Sequence, residues 1–327
     1  MKAVVLAAGL GERLRPLTLV RAKPVVPVLN RPLLHWTLER LARQGVRDVV
    51  VNLHHLPQTI RRALGDGSGL GLRVRYSFEK TILGTGGGPR RVRRWLGRDP
   101  FLIVNGDVLF AFDVRTLVRE HRRSGAQATL AVRWNPDPRR YGGVVADRGG
   151  WIRAIAGRPA GVRGRPWLFT GVHVMEPGLL GRLPEGPSDS VRDLYIPMLG
   201  DGGRLRAVRT EGTWLDFGDP ALYLRSHTAL LAAGFRGFRA RPRLVDPSAR
   251  IARTARVERS VVGPGCVIGP GARVRGSVLW EGVRVGEGAC VEDSILTARV
   301  AVGAGERETG VVGVRRPGGL VRSQVRA

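Results

Sequence analysis

An α/β domain on a mostly parallel sheet, followed by a short parallel β-helix, is the fold predicted by two patterns. Over the first two thirds of the chain, short apolar runs alternate with segments of helical spacing. That βαβα order gives a parallel sheet with helices on both faces. From Val245 the helical spacing stops and a repeat of seventeen residues takes over. With 327 residues, 43% apolar and 25% charged, the chain is globular in composition and long enough for more than one domain.

The elements follow in order. Residues 3–8 are an unbroken apolar run, suited to a strand buried on both faces. Residues 33–41, with Trp36 and Leu38, have helical spacing, and Gly45 ends them. Strands are expected at 48–53, 72–78, 101–104 and 128–132, and helices at 57–64, near 90–96 and at 114–121. Ligands of such sheets bind beyond the carboxyl ends of the strands. The turn after the first strand, the glycine-rich stretch 79–88 and Asp107 all fall at such ends.

In the repeat, Val257, Val274 and Val291 keep a step of seventeen, as do Val262, Leu279 and Leu296, and Ile268, Val285 and Val302. Ser260, Ser277 and Ser294 keep it too. One inward aliphatic per short strand, with small residues at the corners, predicts triangular coils of parallel β-helix. The expected organisation is a first domain over 1–235, a linker over 236–244, the β-helix over 245–305 and a loose basic tail over 306–327.

The first turn carries the chemistry. It reads Leu6-Ala-Ala-Gly-Leu-Gly-Glu-Arg-Leu-Arg-Pro-Leu-Thr18 and closes with Lys23-Pro24. Ala8, Gly9 and Gly11 let backbone amides approach a bound anion, and Arg13 and Lys23 add charge. A dinucleotide fingerprint is excluded because Leu14 stands where the third glycine belongs and 49–55 ends in no acidic residue. A P-loop is excluded because no Gly-Lys-Ser/Thr follows.

The whole string resembles the opening motif of the sugar-1-phosphate nucleotidyltransferases, and the motifs after it occur in that family's order. The resemblance implies a Rossmann-like, GT-A-like domain with a left-handed hexapeptide-repeat β-helix behind it. It implies transfer of a nucleotidyl group from an NTP to a sugar-1-phosphate. It also implies that Asp107, in Asn105-Gly106-Asp107, and Asp216, in Trp214-Leu-Asp-Phe-Gly-Asp-Pro220, hold Mg²⁺. Arg13 would hold the leaving phosphates, and Lys23 the charge where two phosphates meet. The stretch 79–88 resembles a base-recognition loop in which Glu79 accepts N–H groups of a base and Gly84, Thr85 and Gly86 line its edge. Tyr141-Gly142 and Thr170-Gly171 resemble sugar-pocket segments, and Arg158 stands where that family has a phosphate-holding Lys. Gly157 replaces the usual Glu of that segment, which leaves the sugar open.

GTP with mannose-1-phosphate or a related sugar phosphate is the expected pairing. A uridylyl- or thymidylyltransferase, or an inert subunit that senses nucleotide sugar, is the alternative. The net charge of +27 comes almost wholly from arginine scattered along the chain, and the only lysines are Lys2, Lys23 and Lys80. With no nucleic-acid-binding motif, this reads as compositional background that also attracts anionic substrates. No specific nucleic-acid partner is expected. Cys266 and Cys290 have no metal or disulfide spacing, and no run is long enough to span a membrane. All six histidines lie at or before His227, so the coils lack an acyltransferase base and are expected to serve structure and homo-oligomer contact. The expected location is cytoplasmic.

Overall fold

The computed structural model describes residues 1–232 and 244–326. They form two compact units, one made of residues 1–9 and 37–214, the other of residues 10–36 and the chain from 215 onwards. By packing, 10–36 and 215–232 group with the coils from 244 onwards. The expected linker lies outside the described residues, apart from Leu244.

The first unit holds a seven-stranded sheet. Its strands are β1 (Lys2–Leu6), β2 (Asp48–Leu53), β3 (Arg73–Phe78), β4 (Phe101–Asn105), β5 (Ala128–Arg133), β6 (Leu168–Met175) and β7 (Leu205–Arg209). Their order is β7-β5-β6-β4-β1-β2-β3. Neighbours are parallel except β6, which runs antiparallel to β4 and β5. After β1 the chain builds outward to β2 and β3, then returns to place β4 on the other side of β1. The crevice at such a reversal lies at the carboxyl ends of β1 and β4. Both strands are buried on both faces, with Val4, Val5, Ile103 and Val104 fully enclosed.

Helices α1 (Pro57–Leu64), α2 (Gly84–Arg91) and α3 (Val114–Ser124) belong to this unit. At the start of α3, Asp113 accepts from the Arg115 amide at 2.8 Å. Such a side-chain cap satisfies one of the orphan donors of a helix N-terminus. Helix α2 differs from expectation, for it starts at Gly84 and contains Gly86, Gly87, Gly88 and Pro89. Interior glycine disfavours a helix by about 1 kcal/mol per residue. Packing overrides that cost here. A Cβ on Gly87 would stand 2.3 Å from the Gly186 carbonyl oxygen, and one on Gly84 2.5 Å from that of Ser188.

In the second unit, helix α4 (Pro220–Ala232) precedes three parallel ladders whose strands recur at the seventeen-residue step. Val257 pairs with Val274 and Val274 with Val291, and Val262 with Leu279 and Leu279 with Leu296. Ile268, Val285 and Val302 form the third inward row, and these positions pack together as one core. The serines make a ladder of their own. Ser277 N donates to Ser260 Oγ at 3.0 Å, Ser294 N to Ser277 Oγ at 3.1 Å and Val311 N to Ser294 Oγ at 3.0 Å.

The tail expected to be loose is ordered. Arg307–Thr309 and Val311–Arg316 add a fourth strand to two ladders, and Gly319–Gln324 folds back antiparallel on the latter. Glu308 takes the inward place after Val291 and pairs with Arg322 of the returning strand. A charged pair in place of the aliphatic row ends the stack, as capping repeats do.

Candidate active site

In the first unit, the end of β1 is fixed by its neighbours. Gly106 N donates to the Leu6 carbonyl at 2.9 Å, which ties the Asp107 turn to the signature strand. Ala7 N, beyond the last β1–β2 pair, donates to Asn52 Oδ1 at 2.6 Å. Ala8 is buried and Gly9 exposed. A Cβ on Gly9 would meet nothing within 4 Å, so open space adjoins the backbone there.

The second unit contains the rest of the signature. Gly11 has φ +64°, and a Cβ on it would lie 2.7 Å from Thr18 Cγ2 and 3.2 Å from Lys23 Cβ. Thr18 Oγ1 donates back to the Gly11 carbonyl at 3.0 Å. Only glycine fits this left-handed position beneath Thr18. Lys23 is 7% exposed, and its Nζ lies 3.9 Å from Asp216 Oδ1. Arg13 is exposed on a single turn of tight helix, Glu12–Leu14. Among the residues expected to act on phosphate, this unit brings Lys23 and Asp216 together.

Farther along this segment, Arg21 pairs with Glu281 and lies 4.7 Å over the Trp280 ring. Trp280 Nε1 donates to Tyr223 Oη at 3.1 Å, and Tyr223 Oη to the Pro27 carbonyl. The second coil thereby supports the segment that bears Lys23. Trp280, alone among the repeat's aliphatics, was the available signal for this contact.

The glycine loop is held from below. Glu79 is 0% exposed. Its Oε1 accepts from Asn52 Nδ2 at 2.9 Å and its Oε2 from Leu83 N at 2.8 Å. Both oxygens thus already accept from the loop's own fold. Thr85 also works internally, donating to Asp189 Oδ2 at 2.9 Å and accepting from Ser190 N at 2.8 Å. Gly86 N donates to the Ser188 carbonyl at 2.9 Å. The glycines at 84 and 86–88 thus answer to close packing within the protein.

On the sugar side, Tyr141 ends a short helix, Pro138–Tyr141, and meets Trp214 edge-on at 5.7 Å. Gly142 follows with φ +62°. Arg158 is exposed beyond a tight turn in which Ala156 and Gly157 have φ +50° and +74°. Thr170 is fully buried and donates to the Ala131 carbonyl at 2.9 Å, so its hydroxyl faces the sheet and not a pocket. Gly171, φ +78°, leaves room for Asn105, whose Nδ2 would lie 2.6 Å from a Cβ there.

The acidic groups suit a hard cation. Asp107 and Asp216 offer carboxylate oxygens on separate loops, and no cluster of three or more His, Cys, Asp or Glu able to hold a metal occurs among the described residues. Asp107 belongs to the first unit and Asp216 to the second, and each offers the kind of oxygen that Mg²⁺ takes beside phosphate oxygens and water.

Residues 2–233 match the family described as nucleotidyl transferase, and residues 240–314 match the GMPPB C-terminal domain. A UTP–glucose-1-phosphate uridylyltransferase of Synechocystis is 32% identical over 71% of this chain and 64% of its own length. A mannose-1-phosphate guanylyltransferase of Mycobacterium tuberculosis is 34% identical over 70% and 64%. The catalytic subunit beta of mannose-1-phosphate guanylyltransferase from Xenopus tropicalis is 32% identical over 77% and 73%. The chain thus spans just under two thirds of the length of the first two. The crystal structure of HddC from Yersinia pseudotuberculosis shares the fold, with a TM-score of 0.59, 23% identity, and coverage of 68% of this chain and 96% of that one. No described helix is long and apolar enough to cross a membrane. On the match over residues 2–233, the chain belongs to the nucleotidyl transferase family.

Proposed function

We propose that this chain transfers a nucleotidyl group from an NTP to a sugar-1-phosphate, releasing pyrophosphate. The observation that carries the reading is the near-complete signature whose Gly11, Thr18 and Lys23 pack together, with Lys23 Nζ 3.9 Å from Asp216 Oδ1. An oxygen of the sugar phosphate attacks the α-phosphorus in line, the new P–O bond forms, and the bond to the β-phosphate oxygen breaks. The attacking phosphate is already ionised, so no general base is needed. Alignment and charge neutralisation remain for the protein. Lys23 stabilises charge where the two phosphates meet, Arg13 steadies the departing pyrophosphate, and Arg158 takes the sugar phosphate. Asp107 and Asp216 would hold Mg²⁺, which supplies further charge neutralisation on the phosphates when bound.

GTP with mannose-1-phosphate is the preferred pairing, supported by the names of two of the three relatives above. UTP with glucose-1-phosphate is the alternative that the third supports. A cytoplasmic homo-oligomer joined through the β-helix completes the reading. Pyrophosphate release, with each NTP crossed against a panel of sugar-1-phosphates, tests it. Release with one pairing is expected, and silence across the panel while nucleotide still binds would favour an inert sensing subunit.

A further inference from the structure

A buried chain of side-chain hydrogen bonds joins the signature strand to the glycine loop within the first unit. Its direction follows from its two ends. Ala7 N–H can only donate, so the oxygen of the Asn52 amide faces it, at 2.6 Å. The Asn52 NH₂ therefore points at Glu79 Oε1, 2.9 Å away, and that oxygen must accept. Leu83 N–H, the donor at the far end, reaches Glu79 Oε2 at 2.8 Å. Glu79 therefore accepts at both oxygens. It is 0% exposed, Asn52 is 3% exposed, and no ion pair to Glu79 occurs among the described residues. The Glu79 backbone is held as well, its N donating to the Leu53 carbonyl and its carbonyl lying 2.9 Å from His54 Nδ1. A Cβ on Gly88 would stand 2.9 Å from Asn52 Nδ2 and 3.1 Å from Glu79 Oε1, so α2 rests directly on the bridge.

A buried polar group held by two donors is costly unless its geometry is kept. The apolar strand β2 is interrupted by Asn52 for no packing reason of its own. We propose that Asn52 and Glu79 are positioning residues that lock the loop at 83–88 to the end of the signature strand, so that both nucleotide-facing loops are set as one unit. This rests on the function proposed above, deepening it from which groups meet the nucleotide to what fixes them.

The polarity of the bridge supplies its own test. In Glu79→Gln, the one remaining oxygen accepts from either the Asn52 NH₂ or Leu83 N–H, and the new NH₂ faces the other donor. In Asn52→Asp, two carboxylates confront one another. In the double variant every bond is restored with one negative charge. The carboxylate introduced at position 52 would accept from Ala7 N–H and from the NH₂ introduced at position 79. The amide oxygen at position 79 would accept from Leu83 N–H. The full-length chain and the three variants are compared by NTP and sugar-phosphate KM, by preference among NTPs, and by hydrogen exchange at the Ala7 and Leu83 amides.

Each single change should raise the NTP KM at least about tenfold and blunt the NTP preference, while the sugar-phosphate KM moves less than about twofold. Both amides should lose protection together, and the double variant should return to within about threefold of wild type. A double variant no better than its two singles combined would overturn the proposal, as would Glu79→Gln with wild-type KM and exchange. A wild-type chain that turns over no substrate would refute the proposed function instead. Exchange then decides, joint loss of protection upholding the link and unchanged protection overturning it.

Discussion

Lys23 Nζ lies 3.9 Å from Asp216 Oδ1, with the two side chains 9% and 10% exposed. The pair sets a basic side chain against an acidic one inside the second unit. Lys23→Met and Asp216→Asn should each lower kcat at least about 100-fold, the scale of losing one preorganised charge. Each should also lower stability, because one member of a largely buried pair is removed. The double variant should recover part of the stability and none of the rate, as read from melting temperature and initial velocity.

The two signature glycines should separate under alanine substitution. Gly9→Ala meets open space, so melting should be unchanged while the NTP KM rises. Gly11→Ala places a Cβ at φ +64° and 2.7 Å from Thr18 Cγ2. That variant should lose about 1–3 kcal/mol of stability in denaturant titration.

The β-helix should matter to the signature segment. Trp280 is 1% exposed and bonded to Tyr223, which in turn bonds to Pro27. Trp280→Ala should cost about 3–5 kcal/mol, the usual range for a large buried aromatic. Limited tryptic digestion should then cut faster at Arg21, which loses the ring beneath it.

Two buried histidines give a pH dependence whose sign is fixed. Burial pushes His173 down to about 3 and His227 down to about 4 from the ordinary 6.5. Both are neutral when folded and take up protons more readily when unfolded. Their contribution is complete above pH 6.5 and is lost as pH falls below it, by ~1.4 kcal/mol per unit for each group. Neither ring nitrogen of His173 has a hydrogen-bond partner among the described residues. His173→Phe should therefore flatten the acid limb of a stability-versus-pH curve at little cost near neutrality.

Much of the scaffold was legible because its periodicities are strong. The strands at 48–53 and the helix at 57–64 occur as the apolar pattern predicts, and the step of seventeen reappears as ladder register. Residue type alone does not disclose packing. Glycines at 84–88 read as a surface for ligand, yet Gly186 and Ser188 are what they approach. The internal partners of Glu79 and Thr170, Asn52 and Ala131, lie 27 and 39 positions away and are not legible in the sequence. Glu308 and Arg322 broke the pattern of the coils, which reads as disorder in one dimension and as a cap in three. Asn52 was visible only as a polar residue in an apolar strand, since its partners lie 45 and 27 positions away.

The most direct measurement follows labelled phosphorus through a single turnover. GTP labelled at the α- or the γ-position is incubated with the chain, Mg²⁺ and mannose-1-phosphate, with UTP and glucose-1-phosphate run in parallel. The account predicts α-label in the nucleotide sugar and γ-label in pyrophosphate, with both transfers lost in Asp107→Ala while its circular dichroism spectrum still shows a folded chain. Label from the γ-position in the sugar or in free phosphate, or full transfer by Asp107→Ala, would contradict it.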